Sequence, residues 1–210
     1  MLALALALTA AVPVAEAERD FAARAARDGQ WTAFRATATT DAVMFVPQKV
    51  VALDWLKGRT DPKAAVAWVP SDTATACDGS LAATVGPYRD PDGDSGHFAT
   101  VWRRQADGGW KWVLDQGGPK AAPALETIKT QAATASCRNT GKAKAMAPAA
   151  LLSAIGDVPG APGAGLLASG VSGDATLQWA LRGDDKGHRL FVVWLWDGTR
   201  LEEVMRQATP

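Results

Sequence analysis

The chain has 210 residues, which is enough for one domain or for one domain with an appendage. Its 22 Lys and Arg residues balance its 22 Asp and Glu residues, so it lacks the excess positive charge of a nucleic-acid-binding protein. Hydrophobic residues make up 48% of the chain, enough for a core, and beyond the N terminus no apolar run approaches the ~18 residues of a membrane span.

The first 17 residues are typical of a secretory signal peptide. An apolar segment runs from Leu2 to about Val12, Pro13 interrupts it, and Ala15-Glu16-Ala17 fits the small-x-small cleavage pattern. No Lys or Arg precedes the apolar segment, so a start further upstream or a buried N-terminal helix are the alternatives. We predict a mature chain that begins at Glu18 and is exported, to a periplasm or to the medium.

The two cysteines fit an oxidising compartment. Cys77 and Cys137 both lie in the mature region, with no CxxC motif and no histidine at metal-ligand spacing. In such a compartment two cysteines usually pair. We therefore predict a disulfide and no metal or cofactor; two unrelated buried thiols are the alternative.

Residues 18 to 118 contain helical patterns followed by strand patterns. Phe21 and Ala25 have helical spacing, and Gly29 ends that helix; Trp31 and Phe34 indicate a second helix. "DAVMFVP" predicts a strand, "VALDWLKGR" a short helix, and "TATACDGSLAATVGPY" a hairpin that turns at Asp-Gly. Helices followed by antiparallel strands predict an α+β fold.

The stretch "HFATVWRRQADGGWKWVLDQGG", residues 97 to 118, predicts a second hairpin. A two-residue turn would mix aromatic and charged side chains on both faces. A three-residue loop with Gly109 in the left-handed position avoids that mixture. In this register one face carries Phe98, Thr100, Trp102, Trp110, Trp112 and Leu114, and the other carries His97, Val101, Arg103, Lys111, Val113 and Asp115.

This register separates the histidine of the hairpin from its aspartate. Asp115 lies opposite Val101, four residues from His97, and at ~3.3 Å per residue the gap is about 13 Å. We therefore reject a catalytic His–Asp pair and predict that Asp115 is a surface charge and His97 a half-buried edge residue.

The C-terminal part, residues 119 to 210, is predicted as an extension. Residues 138 to about 173 are rich in Gly, Pro and Ala, which predicts a flexible surface segment. Residues 175 to 205 predict a three-stranded meander. Its middle strand, "RLFVVWLW", is apolar on both alternations, so both of its faces should be covered and the meander should join the main sheet or pack on it.

The segments "AERDFAARAARDGQWTAFRATATTDAVMFVP", "DWLKGRTDP" and "GGWKWVLD" resemble the NTF2-like superfamily, and within it the DUF4440/SnoaL-like branch, over residues 18 to 118. The resemblance implies a cone of N-terminal helices packed on a curved, mostly antiparallel sheet around a cavity, and dimerisation through the sheet. Enzymes of this superfamily place Asp, His or Tyr in the cavity for proton transfer. The candidates here are Asp41, Asp54 and Tyr88, each with an equally good structural explanation as a cap, surface or rim residue.

Aromatic side chains are the stronger prediction for a ligand pocket. The predicted lining is Phe45, Trp55, Trp68, Phe98, Thr100, Trp102 and Trp112. Three functions remain open: a cavity that binds a small hydrophobic molecule without catalysis, a lyase or isomerase that uses a buried carboxylate such as Asp41, and an interaction module of the cell envelope whose strand 190–196 is covered only in an oligomer.

Overall fold

The computed structural model describes residues 12–209, so most of the predicted signal peptide, residues 1–11, lies outside it. The helices are α1 Val14–Asp28, α2 Gln30–Thr37, α3 Ala52–Leu56 and α4 Pro148–Ile155, with 3-10 turns at Leu125–Thr127 and Thr140–Lys142. The strands are β1 Ala38–Phe45, β2 Lys49–Val51, β3 Ala67–Trp68, β4 Asp72–Thr75, β5 Leu81–Arg89, β6 Ser95–Arg104, β7 Trp110–Pro119, β8 Gln131–Thr134, β9 Gly165–Val171, β10 Leu177–Gly183, β11 Arg189–Trp196 and β12 Leu201–Thr209.

Two sheets organise the chain. The first has the order β2-β1-β7-β6-β5-β4-β8, with β3 paired to β5. It is mixed, because β1 runs parallel to β7 and β4 parallel to β8. The second sheet has the order β12-β11-β10-β9 and is antiparallel throughout. With α1 to α3 packed on the first sheet, the molecule has the α+β, NTF2-like architecture predicted from the sequence; the DUF4440/SnoaL-like branch stays a prediction.

The first sheet is covered on both faces. The buried side chains of α1, α2 and α3 pack against one face, where Trp68, Phe98, Trp102 and Trp112 lie. The opposite face carries Ala83, Ala99, Val101 and Leu114, which form one core with Leu177, Phe191, Val193 and Leu195 of the second sheet. The C-terminal strands therefore occupy the sheet face through which we predicted a homodimer, and such a dimer would have to displace them.

Strand β11 is buried along its whole length. Phe191 and Val193 face the first sheet, whereas Leu190 and Val192 pack against α4. The prediction that both of its faces are covered is confirmed. Because one chain suffices to cover it, this strand argues against the interaction-module hypothesis, which expected coverage only in an oligomer.

The range 138–173, predicted as a flexible segment, contains α4 and β9. Leu151 and Ile155, one helical turn apart in α4, are buried against the second sheet. Their apolar spacing was hidden by the flanking Gly and Pro residues. Strand β9 adds a fourth strand to the meander.

A disulfide joins Cys77, in the β4–β5 loop, to Cys137, which follows β8. It closes a loop with a sequence separation of 60 residues. Replacing both cysteines by serine is expected to lower the free energy of unfolding by about 3 kcal/mol, because the unfolded chain regains conformational entropy. Urea denaturation of the variant and of the wild type measures this difference, and the wild type under reducing conditions should match the variant. An unchanged midpoint would contradict the prediction.

No helix within residues 12–209 is long and apolar enough to cross a membrane.

Candidate active site

The loop of the β6–β7 hairpin differs from the predicted one. The Gln105 N–H donates a hydrogen bond to the Gly109 carbonyl at 2.8 Å, so the loop consists of residues 106–108. Gly108, with φ 85°, takes the left-handed conformation that we assigned to Gly109. The predicted pairing of the two strands is therefore wrong: Trp102 lies opposite Trp112 and not opposite Leu114.

A β-bulge at Val113 then changes the direction of the side chains that follow. Trp102 pairs with Trp112 and Val101 pairs with Leu114, which leaves Val113 as an extra residue in β7. Because side chains alternate between the faces of a strand, the extra residue moves Leu114 to the face covered by the second sheet. It also turns Asp115 towards the helices, opposite Thr100.

A cavity of about 330 Å³ lies between this face of the first sheet and the helices α1 and α2. Aromatic side chains are the largest group in its lining: Phe21, Trp31, Phe34, Phe45, Trp68, Tyr88 and Phe98. Its polar lining comes from Gln30, Asp90, Asp115 and Gln116. The predicted surface charge, Asp115, is therefore part of the wall of an aromatic cavity.

The predicted pocket residues divide into three groups. Phe45, Trp68 and Phe98 line the cavity. Trp102 and Trp112 are fully buried in the core behind it, and the hydroxyl of Thr100 donates a hydrogen bond to an Asp115 carboxylate oxygen at 2.9 Å. Trp55 lies outside the lining and packs edge-to-face against Trp31, with 5.3 Å between the ring centroids.

Burial raises the pKa of Asp115 to about 7, and the nearby Glu18 carboxylate adds to this rise. The hydrogen bond from Thr100 acts in the opposite direction but is weaker. A carboxyl with a pKa near neutrality can both accept and donate a proton under physiological conditions. Such a group is an expected general acid or base.

Glu18 of α1 is a second buried carboxylate, behind the aromatic lining. It accepts hydrogen bonds from the indole N–H groups of Trp68, at 2.7 Å, and Trp102, at 2.9 Å, and from the Thr84 hydroxyl at 2.5 Å. Burial raises the pKa of Glu18, and its three hydrogen bonds oppose that rise. These contacts connect α1 to β3, β5 and β6, which fixes the helix over the cavity.

Sequence reasoning missed Glu18 because we placed it at the first position of a mature chain. Val14, Glu18, Phe21 and Ala25 are the buried positions of α1. A single acidic residue within such an apolar stripe was the available signal. Residues 14–17, predicted as the end of the signal peptide, form the first turn of this helix.

Tyr88 lies towards the opening of the cavity. Its ring packs over two glycines, since a Cβ on Gly96 would come within 2.2 Å of the ring and one on Gly117 within 3.5 Å. Among the described residues the Tyr88 hydroxyl has no hydrogen-bond partner, so it is available to a ligand. Burial raises the pKa of Tyr88, and Asp90 and Asp94 raise it further.

The other candidates lie outside the cavity. Asp41, the carboxylate favoured from the sequence, is exposed and forms an ion pair with Arg103 at 2.5 Å, which lowers the pKa of Asp41. Asp54 is exposed on α3. His97 points to the face of the second sheet, opposite to Asp115, so the rejection of a His–Asp pair stands for a different reason. Burial lowers the pKa of His97.

Within residues 12–209 there is no group of three or more His, Cys, Asp or Glu side chains that could hold a metal ion.

No family model matches the chain, and no curated protein matches it. Solved structures that are similar include a candidate ketosteroid isomerase from Parabacteroides distasonis, with 17% identity and a TM-score of 0.41 over 51% of this chain and 85% of that one. An NTF2-like superfamily protein from Salmonella enterica serovar Typhimurium has 12% identity and a TM-score of 0.39, over 55% and 94% of the two chains. The CaMKII hub of S. rosetta has 18% identity and a TM-score of 0.38, over 52% and 98%.

Proposed function

We propose that this protein binds a small apolar molecule in the aromatic cavity and transfers a proton to or from it through Asp115, as an isomerase or a lyase does. The observation that carries this proposal is a carboxyl with a pKa of about 7 in the wall of an aromatic cavity. General acid–base catalysis is most effective when the pKa of the catalytic group lies near the working pH. The hydrogen bond from Thr100 holds the carboxylate in one orientation.

The cavity suits a neutral ring system with a polar substituent. A volume of about 330 Å³ is at the small end of the range for small-molecule sites. The aromatic rings exclude water from the body of the ligand, and Asp115 and Tyr88 are among the lining groups that can bond its polar atoms. A carbon acid next to a carbonyl is the simplest substrate for such a base.

Hydrogen–deuterium exchange tests this proposal without the natural substrate. The protein is incubated in D2O with 2-tetralone, a neutral bicyclic ketone, and deuterium uptake next to the carbonyl is followed by NMR. We expect the wild type to accelerate uptake, with a rate that rises with pH through about 7 as Asp115 loses its proton. Asp115→Asn should lower the enzymatic rate by roughly 100-fold or more, because the amide cannot take up the proton.

The matched control is Asp41→Asn, which removes an exposed carboxylate and should leave the exchange rate unchanged. Equal rates for the wild type and Asp115→Asn would contradict the proposal. Binding of the ketone with no exchange by the wild type would instead support the hypothesis of a binding protein without catalysis.

We also propose that the chain is exported. The disulfide between Cys77 and Cys137 supports this, because such bonds persist in oxidising compartments. Cleavage after Ala17 would shorten α1 by its first turn. Mass spectrometry of the chain recovered outside the cytoplasm should show the loss of an N-terminal peptide, and a full-length chain confined to the cytoplasm would contradict export.

A further inference from the structure

The ionisable groups of the cavity are all acidic. Asp115 lies in its inner wall and Asp90 near its opening, since Asp90 also borders a depression on the outer surface. No Lys, Arg or His belongs to the lining that the structure describes. The guanidinium of Arg189 lies behind the wall, 5.5 Å from the Phe45 ring, and donates hydrogen bonds to the Gln116 side chain and to the carbonyls of Pro47 and Gly117.

Negative charges act on the titrating groups at both ends of the cavity. The Glu18 carboxylate contributes to the raised pKa of Asp115, and Asp90 and Asp94 contribute to the raised pKa of Tyr88. Burial is the main cause of both shifts, and the negative charges add to it. An anionic ligand would therefore meet like charge at Asp115 and near Asp90.

Aromatic faces add to the preference for cations. Phe21 and Trp68 pack with their rings at 73°, and Trp31 and Phe34 pack at 75°. All four rings belong to the lining of the cavity. The face of an aromatic ring attracts an ammonium group, most strongly where water is excluded.

The strand register gives the distance between the two polar ends of the cavity, which are marked by Asp115 and Tyr88. Thr84, Thr100 and Asp115 lie at one level of the sheet, and Tyr88 lies four residues further along β5, which is about 13 Å. Asp90 follows Tyr88 at the end of that strand. One Asp90 carboxylate oxygen accepts the N–H groups of Asp92, at 3.0 Å, and Asp94, at 2.9 Å, which orients the carboxylate. Its second oxygen bonds to no other described residue.

We propose that the ligand is a small aromatic or polycyclic amine in its ammonium form, with its ring body in the aromatic cavity and its ammonium group near Asp90. This inference deepens the proposed function and rests on the cavity being its ligand site. Asp115, at the inner end, remains free for proton transfer. Carboxylates and phosphates of the same size are excluded.

Three ligands of one shape test the charge preference. Isothermal titration calorimetry at pH 8 and low salt compares naphthalen-2-ylmethylamine, which is a cation, with the neutral naphthalen-2-ylmethanol and the anionic naphthalene-2-carboxylate. We expect the ammonium to bind at least about 10-fold more tightly than the alcohol, and the carboxylate to bind at least about 10-fold more weakly. Added salt should reduce the first difference.

Asp90→Asn should remove most of the preference for the ammonium and leave the affinity for the alcohol unchanged, because an amide oxygen can keep the loop hydrogen bonds. Asp92→Asn, in the same loop but outside the lining, is the matched control and should keep the preference. Equal affinity for the ammonium and the carboxylate, or an unchanged preference in Asp90→Asn, would overturn the ligand class alone. Binding of none of the three would also overturn this inference, whereas the exchange assay with a neutral ketone tests the proposed function independently of charge.

Discussion

A chain that ends at residue 164 is expected to lose its folded monomeric state, because it lacks the whole second sheet. Val101 and Leu114, both completely buried in the full chain, would face water together with the other apolar residues of that sheet face. Each large apolar side chain contributes about 1.5–3 kcal/mol when buried, so exposing five of them removes about as much as the 5–15 kcal/mol stability of a typical domain. Circular dichroism and analytical ultracentrifugation of the truncated chain measure the outcome.

The expected result is an unfolded chain or an assembly formed through the uncovered face. In a control chain, every residue is kept and a protease recognition site is inserted between residues 162 and 163, before β9. After cleavage the two pieces should stay associated, since the sheets remain in contact. A truncated chain that is monomeric and unfolds cooperatively would show that the second sheet is not needed.

Asp115→Asn is expected to stabilise the protein at pH 8 by up to about 4 kcal/mol and to leave its stability at pH 4 almost unchanged. The folded-state pKa of Asp115 is about 7, above the ordinary value of 3.8. In the wild type, stability is therefore highest when this carboxyl is protonated and falls as the pH rises from about 4 to 7, at roughly 1.4 kcal/mol per pKa unit of difference. Contact of the carboxyl with solvent in the cavity makes this figure an upper limit.

Urea denaturation of both proteins at pH 4 and pH 8 measures the difference. The hydrogen bond from Thr100 is available to an amide oxygen as well, so packing should be preserved. Asp41→Asn is the control: it removes a surface ion pair, and we expect a change below about 1 kcal/mol in the destabilising direction. If Asp115→Asn changed stability equally at the two pH values, the carboxyl would not be titrating near neutrality.

The Asp115→Asn variant connects stability with activity. The residue whose replacement should abolish proton transfer is also one whose replacement should stabilise the protein at neutral pH. A buried carboxylate is costly, and the protein keeps it in an aromatic wall where an amide would be more favourable. Loss of activity with a gain in stability would separate a catalytic role from a structural one.

The arrangement of elements could be predicted from the sequence where one face of an element is apolar. The spacing of Phe21 and Ala25 predicted α1, and the Asp-Gly turn predicted the β4–β5 hairpin. The continuous apolar run of β11 predicted coverage on both faces. In α1 and the hairpin the polar positions mark the solvent, whereas in β11 their absence indicates that no face meets solvent.

The position of Asp115 could not be predicted in this way. In "WKWVLD" the residues Val113 and Leu114 are both apolar, and alternation stops there. Strand β7 is covered by helices on one face and by the second sheet on the other, so apolar side chains fit either face. With no solvent-facing position between Trp112 and Gln116 to fix the register, the extra residue is invisible in the hydrophobic pattern.

The bulge at Val113 makes the chemistry of the cavity depend on strand register rather than on residue type. Regular pairing of the same residues, without the bulge, would place Leu114 opposite Thr100 in the cavity and Asp115 opposite Ala99 in the interior between the sheets. Every aromatic residue of the lining would remain, yet the acid would be gone.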